Sequence, residues 1–310
     1  MPDLVRFLSE WLAVQAVPRL AREIGLPLNL PEERMIYGLS TEEIQRILGE
    51  YDDVLAELVR RHNISWWDVY TSSDVGKERL VLASEMRLYE DDVVLDVGCG
   101  KGYLTVALAT LCRAVCGMDL MNGLGRRGWW TNFRAEMGAL DLNQRVTGIR
   151  ASATDIPFSD GSFSLTVSGH ALRNFGGRST IVDALSEMRR VTRSGGRVIV
   201  AENLPVAGSR AQEAHLKMYK FRIKYVRGDS PFFTESELVQ MFHEAALPPT
   251  YKKILDFDLS AAPPMFVLNI DTIPEGERDQ AVREYSAAVE MIREHGESSP
   301  PLLLIEAVVE

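Results

Sequence analysis

The stretch Val93 to Ala109, "VVLDVGCGKGYLTVALA", reads as a buried strand, a glycine-rich turn and a helix. A short β-branched run bounded by glycines, then an apolar helical segment, is the opening of a βαβ unit. Such turns hold free phosphates, dinucleotides or another nucleotide-like ligand. A phosphate loop needs a Lys-Ser/Thr pair after its last glycine. Here Lys101 lies between Gly100 and Gly102, and Tyr103 follows, so that pair is missing. The dinucleotide fingerprint needs a third glycine where Tyr103 stands.

The residue ahead of the turn separates the remaining ligands. Asp96 ends the strand two positions before Gly98, where a pyrophosphate would lie. A carboxylate there repels phosphate and pairs with an ammonium group. The next strand, "RAVCGMDL", ends in Asp119, about 20 residues on, the usual place for an acid that binds ribose hydroxyls. Asp119 alone would suit NAD equally. Together with Asp96 it points to a nucleoside carrying an amino acid, S-adenosylmethionine.

With these residues in place, the chain resembles the class I S-adenosylmethionine-dependent methyltransferases. "LDVGCGKG" looks like their first motif and "GMDL" like their second. "ASATDIPFSDGSFSLTVSGH" is similar to the adenine-binding segment and fourth strand, and "MRRVTRSGGRVIVAE" to the turn into the fifth. The resemblance covers about residues 76–258, with the final strand as a continuation. It implies a Rossmann-like α/β fold: a seven-stranded, mostly parallel sheet with an antiparallel last strand. It also implies a cofactor site of Asp96, Gly98, Cys99, Gly100 and Gly102 in the turn, Asp119 on the ribose, and Leu120 against the adenine. Ser152, Ala153 and Asp155 map to the adenine segment and Ser168 to the fourth strand. The frequent Gly-Asp-Ala of that segment reads Ala151-Ser152-Ala153 here, and "MNGLGRRG" after Asp119 looks like an insertion.

Outward from this core, strands are expected near 92–97, 114–119, 146–150, 163–168, 197–202 and 251–258, with a further one at 265–270. A last strand falls in "PLLLIEAVV", and helices near 209–227, 234–246 and 276–294. Strands alternating with helices argue for a parallel sheet covered on both faces. Residues 1–75 read as a helical N-terminal cap for substrate recognition. Residues 76–310 read as the methyltransferase domain, with a helical insert at 206–233. In the cap, Leu4, Phe7, Leu8, Trp11, Leu12 and Val14 give one apolar face, and Pro18 bends or ends that helix. Ser40 and Glu43 have capping-box spacing, and "ISWWDVYTSS" breaks the helical pattern.

The chain of 310 residues has a formal net charge of -10, which argues against a whole-surface nucleic-acid footprint. Its three cysteines, Cys99, Cys112 and Cys116, are too few for a disulfide framework or a four-ligand zinc site, so no metal is expected. An N-terminus broken by Asp3, Arg6 and Glu10 argues against a signal peptide, and no apolar run reaches the roughly 20 residues of a membrane span. The expected compartment is cytoplasmic.

Methyl transfer from a sulfonium needs an aligned nucleophile, and a base only where a proton must leave. His170, Arg173 and Asn174, in "VSGHALRNF", follow the fourth strand near where the acceptor should sit. They are the catalytic candidates; the plain alternative is packing and helix-start polarity. "ALRNF" is also similar to a Gly-Leu-Arg-Asn segment of the ubiquinone/menaquinone C-methyltransferases, which suggests a quinone or isoprenoid acceptor. The absence of an Asn/Asp-Pro-Pro-Tyr motif argues against methylation of nucleic-acid bases. The leading expectation is a small or lipid-like acceptor held between cap and sheet. The alternatives are a protein side-chain methyltransferase that docks a folded partner, and a cofactor-binding assembly protein without catalysis.

Lys217, Lys220, Lys224 and Arg227 share one helix face, beside a stripe of Ala214, Met218, Phe221 and Tyr225. This face reads either as solvated lysines over a core stripe or as a seat for an acidic substrate, anionic lipid or partner, to which Arg126 and Arg127 could add. Trp66, Trp67 and Tyr70 either close over the ligand or staple the cap; Trp129 and Trp130 read as packing residues.

Overall fold

A computed structural model of the chain describes residues 10–26, 60–120, 137–225, 232–257 and 273–310, with positions 46, 53–54, 57–58 and 133–134. In chain order its first elements are α1 (Glu10–Glu23), α2 (Trp66–Ser72), α3 (Asp74–Glu85), β1 (Val93–Val97), α4 (Tyr103–Ala109), β2 (Ala114–Asp119) and β3 (Val146–Arg150). There follow β4 (Phe163–Gly169), α5 (Arg178–Val191), β5 (Thr192–Asn203), α6 (Arg210–Tyr225), α7 (Glu235–Glu244), β6 (Tyr251–Leu255), α8 (Arg278–His295) and β7 (Leu302–Val308). Leu4, Phe7 and Leu8 of the expected N-terminal face, the Ser40–Glu43 box, the strand at 265–270, and Arg126, Arg127, Trp129, Trp130 and Arg227 lie outside the described residues.

The chain divides into two compact units. One comprises Met1–Glu78, Val206–Asp229 and Phe257–Pro300; the other comprises Arg79–Pro205, Ser230–Asp256 and Pro301–Glu310. The second carries a seven-stranded sheet in the order β3-β2-β1-β4-β5-β7-β6. All neighbours from β3 to β5 are parallel, and β7 runs antiparallel to both β5 and β6. This is the Rossmann-like sheet with one reversed strand that the motifs implied.

Strand residues alternate between faces. Leu95 and Val97, Cys116 and Met118, Val198 and Val200, and Leu303 and Ile305 pack with Ile181, Leu185 and Met188 of α5 and Leu238, Met241 and Phe242 of α7. The opposite face carries Asp96, and there the end of β4 meets α3 and α4: a Cβ at Gly169 would lie 2.7 Å from Leu104 and 3.8 Å from Leu82. β5 begins at Thr192, earlier than the expected 197, because Gly195 donates to Val309 O and Val309 to Gly196 O, extending the ladder across the glycine pair.

In the other unit, α1 continues through Pro18 to Glu23 instead of ending there. The helix is pinned around the proline: Val17, Leu20 and Ala21 are buried, and Arg19 makes a two-pronged bond to Asp74 at 2.6 and 2.8 Å. The segment "WWDVYTS" is helical, where the aromatic run had read as a break. Ser65 and Asp68 form a reciprocal capping box that starts it. Trp67 meets Tyr70 edge-on at 5.6 Å, and Tyr70 is buried within this unit. Helices α6 and α8 share a core of Ala214, Met218, Phe221, Ala288, Val289 and Ile292.

Candidate functional site

The strand order reverses between β1 and β4, and in open α/β sheets the crevice beyond the carboxyl ends at that point is where ligands bind. The turn after β1 is built for close approach. Gly98, Gly100 and Gly102 have φ of +76°, +54° and +86°, a left-handed backbone that favours glycine. A Cβ at Gly98 would stand 2.6 Å from Ala171 Cβ, and one at Gly102 2.7 Å from Phe133. At Gly100 an added Cβ would meet nothing within 4 Å. Two glycines therefore admit protein neighbours, and the middle one faces open space.

The turn hangs on β2, since Gly98 N and Cys99 N both donate to Met118 O, at 2.8 and 3.0 Å. Gly100 N donates to Asp119 Oδ2 at 2.9 Å, so the carboxylate at the end of β2 fixes the glycine that faces outward. Leu120, next to it, is 46% exposed. Asp96 is buried, 1% exposed, and its Oδ2 accepts from Thr105 Oγ1 of α4 at 2.6 Å. Burial pushes its carboxyl up to about 7, with Asp119 adding to the rise and the Thr105 hydroxyl and Arg79 opposing it. Burial, only partly offset by the Thr105 hydroxyl, thus leaves a carboxyl whose ionised form a neighbouring cationic group would favour. Thr105 had no signal in the sequence beyond its place in an apolar helix.

The adenine-segment candidates lie together after β3. Ser152 Oγ caps its own turn by accepting from Thr154 N at 3.2 Å, and Ser152 bridges Asp155. Ala153 packs against the core, and Asp155 is exposed. Ser168 is fully buried and its hydroxyl has no hydrogen-bond partner. It is two residues beyond Thr166, which bonds to Met188 O of α5, so alternation turns it to the face opposite Asp96. Burial raises the thiols of Cys99, Cys112 (to about 11) and Cys116, leaving all three weak nucleophiles. Cys99 Sγ would lie 3.1 Å from a Cβ at Gly117, so that glycine gives the turn its room.

The loop after β4 leans on the glycine turn through Ala171 and Phe175. His170 starts it with φ +56°, a backbone that a histidine adopts at a cost. Its Nδ1 is 2.9 Å from Asn203 Oδ1 at the end of β5. With that oxygen accepting, the neutral ring carries its lone pair on Nε2. Arg173 donates to Glu202 Oε2 at 2.9 Å and lies over the Phe232 ring at 5.2 Å. Glu202, 1% exposed, also accepts from Leu172 N at 2.7 Å. Arg173 thus holds the loop in place, and Asn174 is exposed. Sequence reading missed Glu202. The signal available was an acid ending an apolar strand, the same one that marked Asp96.

Residues 95–200 match the family model described as a methyltransferase domain. Residues 95–200 thus carry a methyltransferase domain. Two curated relatives are named demethylmenaquinone methyltransferase. That of Symbiobacterium thermophilum is 30% identical over 166 residues, covering 53% of this chain and 61% of the relative. That of Beutenbergia cavernae is 36% identical over 159 residues, covering 50% and 57%. The chain therefore spans less than two thirds of the length of these relatives. A cyclopropane-fatty-acyl-phospholipid synthase-like protein from Lactobacillus casei shares the fold of the methyltransferase domain, with a TM-score of 0.61 at 20% identity over 78% of this chain and 92% of that one. No helix among the described residues is long and apolar enough to cross a membrane.

Proposed function

We propose that this chain transfers the methyl group of S-adenosylmethionine to a small or lipid-like acceptor of the quinone or isoprenoid class. The observation that carries the donor is Asp96: a buried carboxyl raised to about 7 at the end of the strand that leads into the glycine turn, in a methyltransferase domain. Its ionised form takes the ligand's ammonium group. Asp119 takes the ribose hydroxyls while keeping Gly100 N, and Leu120 offers an apolar face to the adenine. Ser152, Ala153 and Asp155 line the adenine edge. When bound, S-adenosylmethionine supplies an electrophilic methyl on a sulfonium, a transfer that depends on in-line positioning.

For an acceptor whose nucleophilic atom carries a proton, His170 is the base. Asn203 fixes its ring, so that Nε2 receives the proton. Glu202 and Arg173 act on the loop as positioning residues. The acceptor class is supported by the relatives' name and by the Leu172-Arg173-Asn174 segment.

Calorimetry with S-adenosylmethionine tests the donor; absence of binding sinks the reading. Incubating the protein with methyl-labelled cofactor and cell extract tests the acceptor. Label is expected in the solvent-extractable lipid fraction, one methyl group per molecule by mass spectrometry. Label confined to protein would refute the small acceptor. Replacing His170 by Asn, which tolerates a left-handed backbone, is expected to lower kcat by about 100-fold or more with cofactor binding retained.

A further inference from the structure

Between α6 and α8 opens a cleft of about 400 Å³, lined by Lys217, Lys220, Lys224, Arg283, Glu284 and the buried ring of Phe221. Both helices belong to the same compact unit and share one core, so the cleft is a feature of that unit alone. Lys224 pairs with Glu284 at 2.7 Å, and the same Glu284 oxygen accepts from Gln280 at 2.8 Å. The single acid of the cleft is thus already engaged. Among the described residues, Lys217, Lys220 and Arg283 have no ion-pair partner, and all three are exposed.

Three unpaired cations around an apolar floor are unusual in a chain of net charge -10, where acids outnumber bases by 44 to 34. Here the one carboxylate lining the cleft, Glu284, is taken up by Lys224 and Gln280, and the remaining positive charge lies beside apolar surface on two amphipathic helices. A dense negative layer bordering hydrocarbon complements that combination, whereas a soluble anion uses the charge but not the floor.

We propose that this cleft docks the protein on an anionic lipid surface, with lipid phosphates between Lys217, Lys220 and Arg283 and the upper acyl chain against Phe221. The acidic remainder of the surface is repelled by the same layer, so the patch also sets the orientation of docking. The proposal goes beyond methyl transfer and stands if that reading fails.

The test uses the full chain and floating vesicles, either of phosphatidylcholine alone or with phosphatidylglycerol as about a third of the lipid. Binding is expected to the anionic vesicles only, and to weaken as salt shortens the screening length from about 30 Å to about 8 Å. Each cation near such a surface is worth about fivefold in affinity, so the triple variant K217A/K220A/R283A should lose about 100-fold. Its thermal midpoint and its affinity for S-adenosylmethionine should be unchanged, which separates lost docking from lost folding. Equal binding of the triple variant, or no binding to anionic vesicles, overturns the proposal. So does tighter binding of soluble polyglutamate than of vesicles, which would assign the cleft to an acidic protein.

Discussion

Protonation of Asp96 should govern the affinity for S-adenosylmethionine. The carboxyl titrates near 7 because burial disfavours its charge, and the Thr105 hydroxyl offsets this only in part. Moving from 3.8 to about 7 makes ionisation about 4 kcal/mol more costly than in the unfolded chain. A raised carboxyl favours folding in its neutral form, so its stabilising contribution is complete below 3.8 and is lost as pH rises through 7. Ligand binding runs the other way in the proposed site, where the ammonium group would pair with the carboxylate. A site titrating at 7 is about 9% ionised at pH 6 and about 76% at pH 7.5, so affinity should rise about eightfold between them. At pH 6 binding should also release about 0.9 proton, which calorimetry in two buffers of different ionisation heat measures directly. Asp96→Asn keeps an acceptor for Thr105 and removes the charge. It should bind weakly, lose the pH dependence, and unfold at a higher temperature than the parent above pH 8. A pH-independent affinity, no proton release, or the same profile in the variant would refute the reasoning.

Gly98→Ala, with its Cβ 2.6 Å from Ala171 and a left-handed φ, should cost about 1–3 kcal/mol in urea unfolding. Gly100→Ala should cost only the 1–2 kcal/mol of its left-handed backbone, yet lose most cofactor affinity by calorimetry, because it fills the open side of the turn. Glu202→Ala leaves a guanidinium and Leu172 N without their acceptor in a nearly closed site, and denaturation should show a loss of about 3–5 kcal/mol. Asp119→Ala removes the charged acceptor of Gly100 N and the proposed ribose contact, and should weaken cofactor binding by about 10- to 100-fold.

The sheet was legible because its inner strands β1, β2, β4, β5 and β7 are largely buried on both faces and stand out as apolar runs between glycine and polar punctuation, whereas the outer strands β3 and β6 are partly exposed. Order and direction were carried by the motif resemblance, not by the runs themselves. The helix at Trp66–Ser72 escaped because three large aromatics in five residues blur the helical period; the Ser65–Asp68 capping box was the readable signal. At the site, Asp96 and Asp119 could be singled out because each ends a strand next to a glycine turn. Glu202 carried the same strand-end signal without a glycine turn beside it, and its partners Leu172 and Arg173 lie about 30 residues upstream, brought to it by the β4–β5 pairing. The basic face of α6 followed from helical spacing. Arg283 did not, because it arrives from another helix some 60 residues later.

The position of β7 has a consequence for how the chain is made. It is the wedge between β5 and β6, and among the described residues β6 has no other neighbour in the sheet. A ribosome therefore releases five parallel strands long before the segment that completes them, and β5 waits about 100 residues for Leu302–Val308. Until then one edge of an apolar sheet lies open to pairing with another chain. A product cut before Leu302 keeps the whole glycine turn and both carboxylates, yet should be recovered as aggregate.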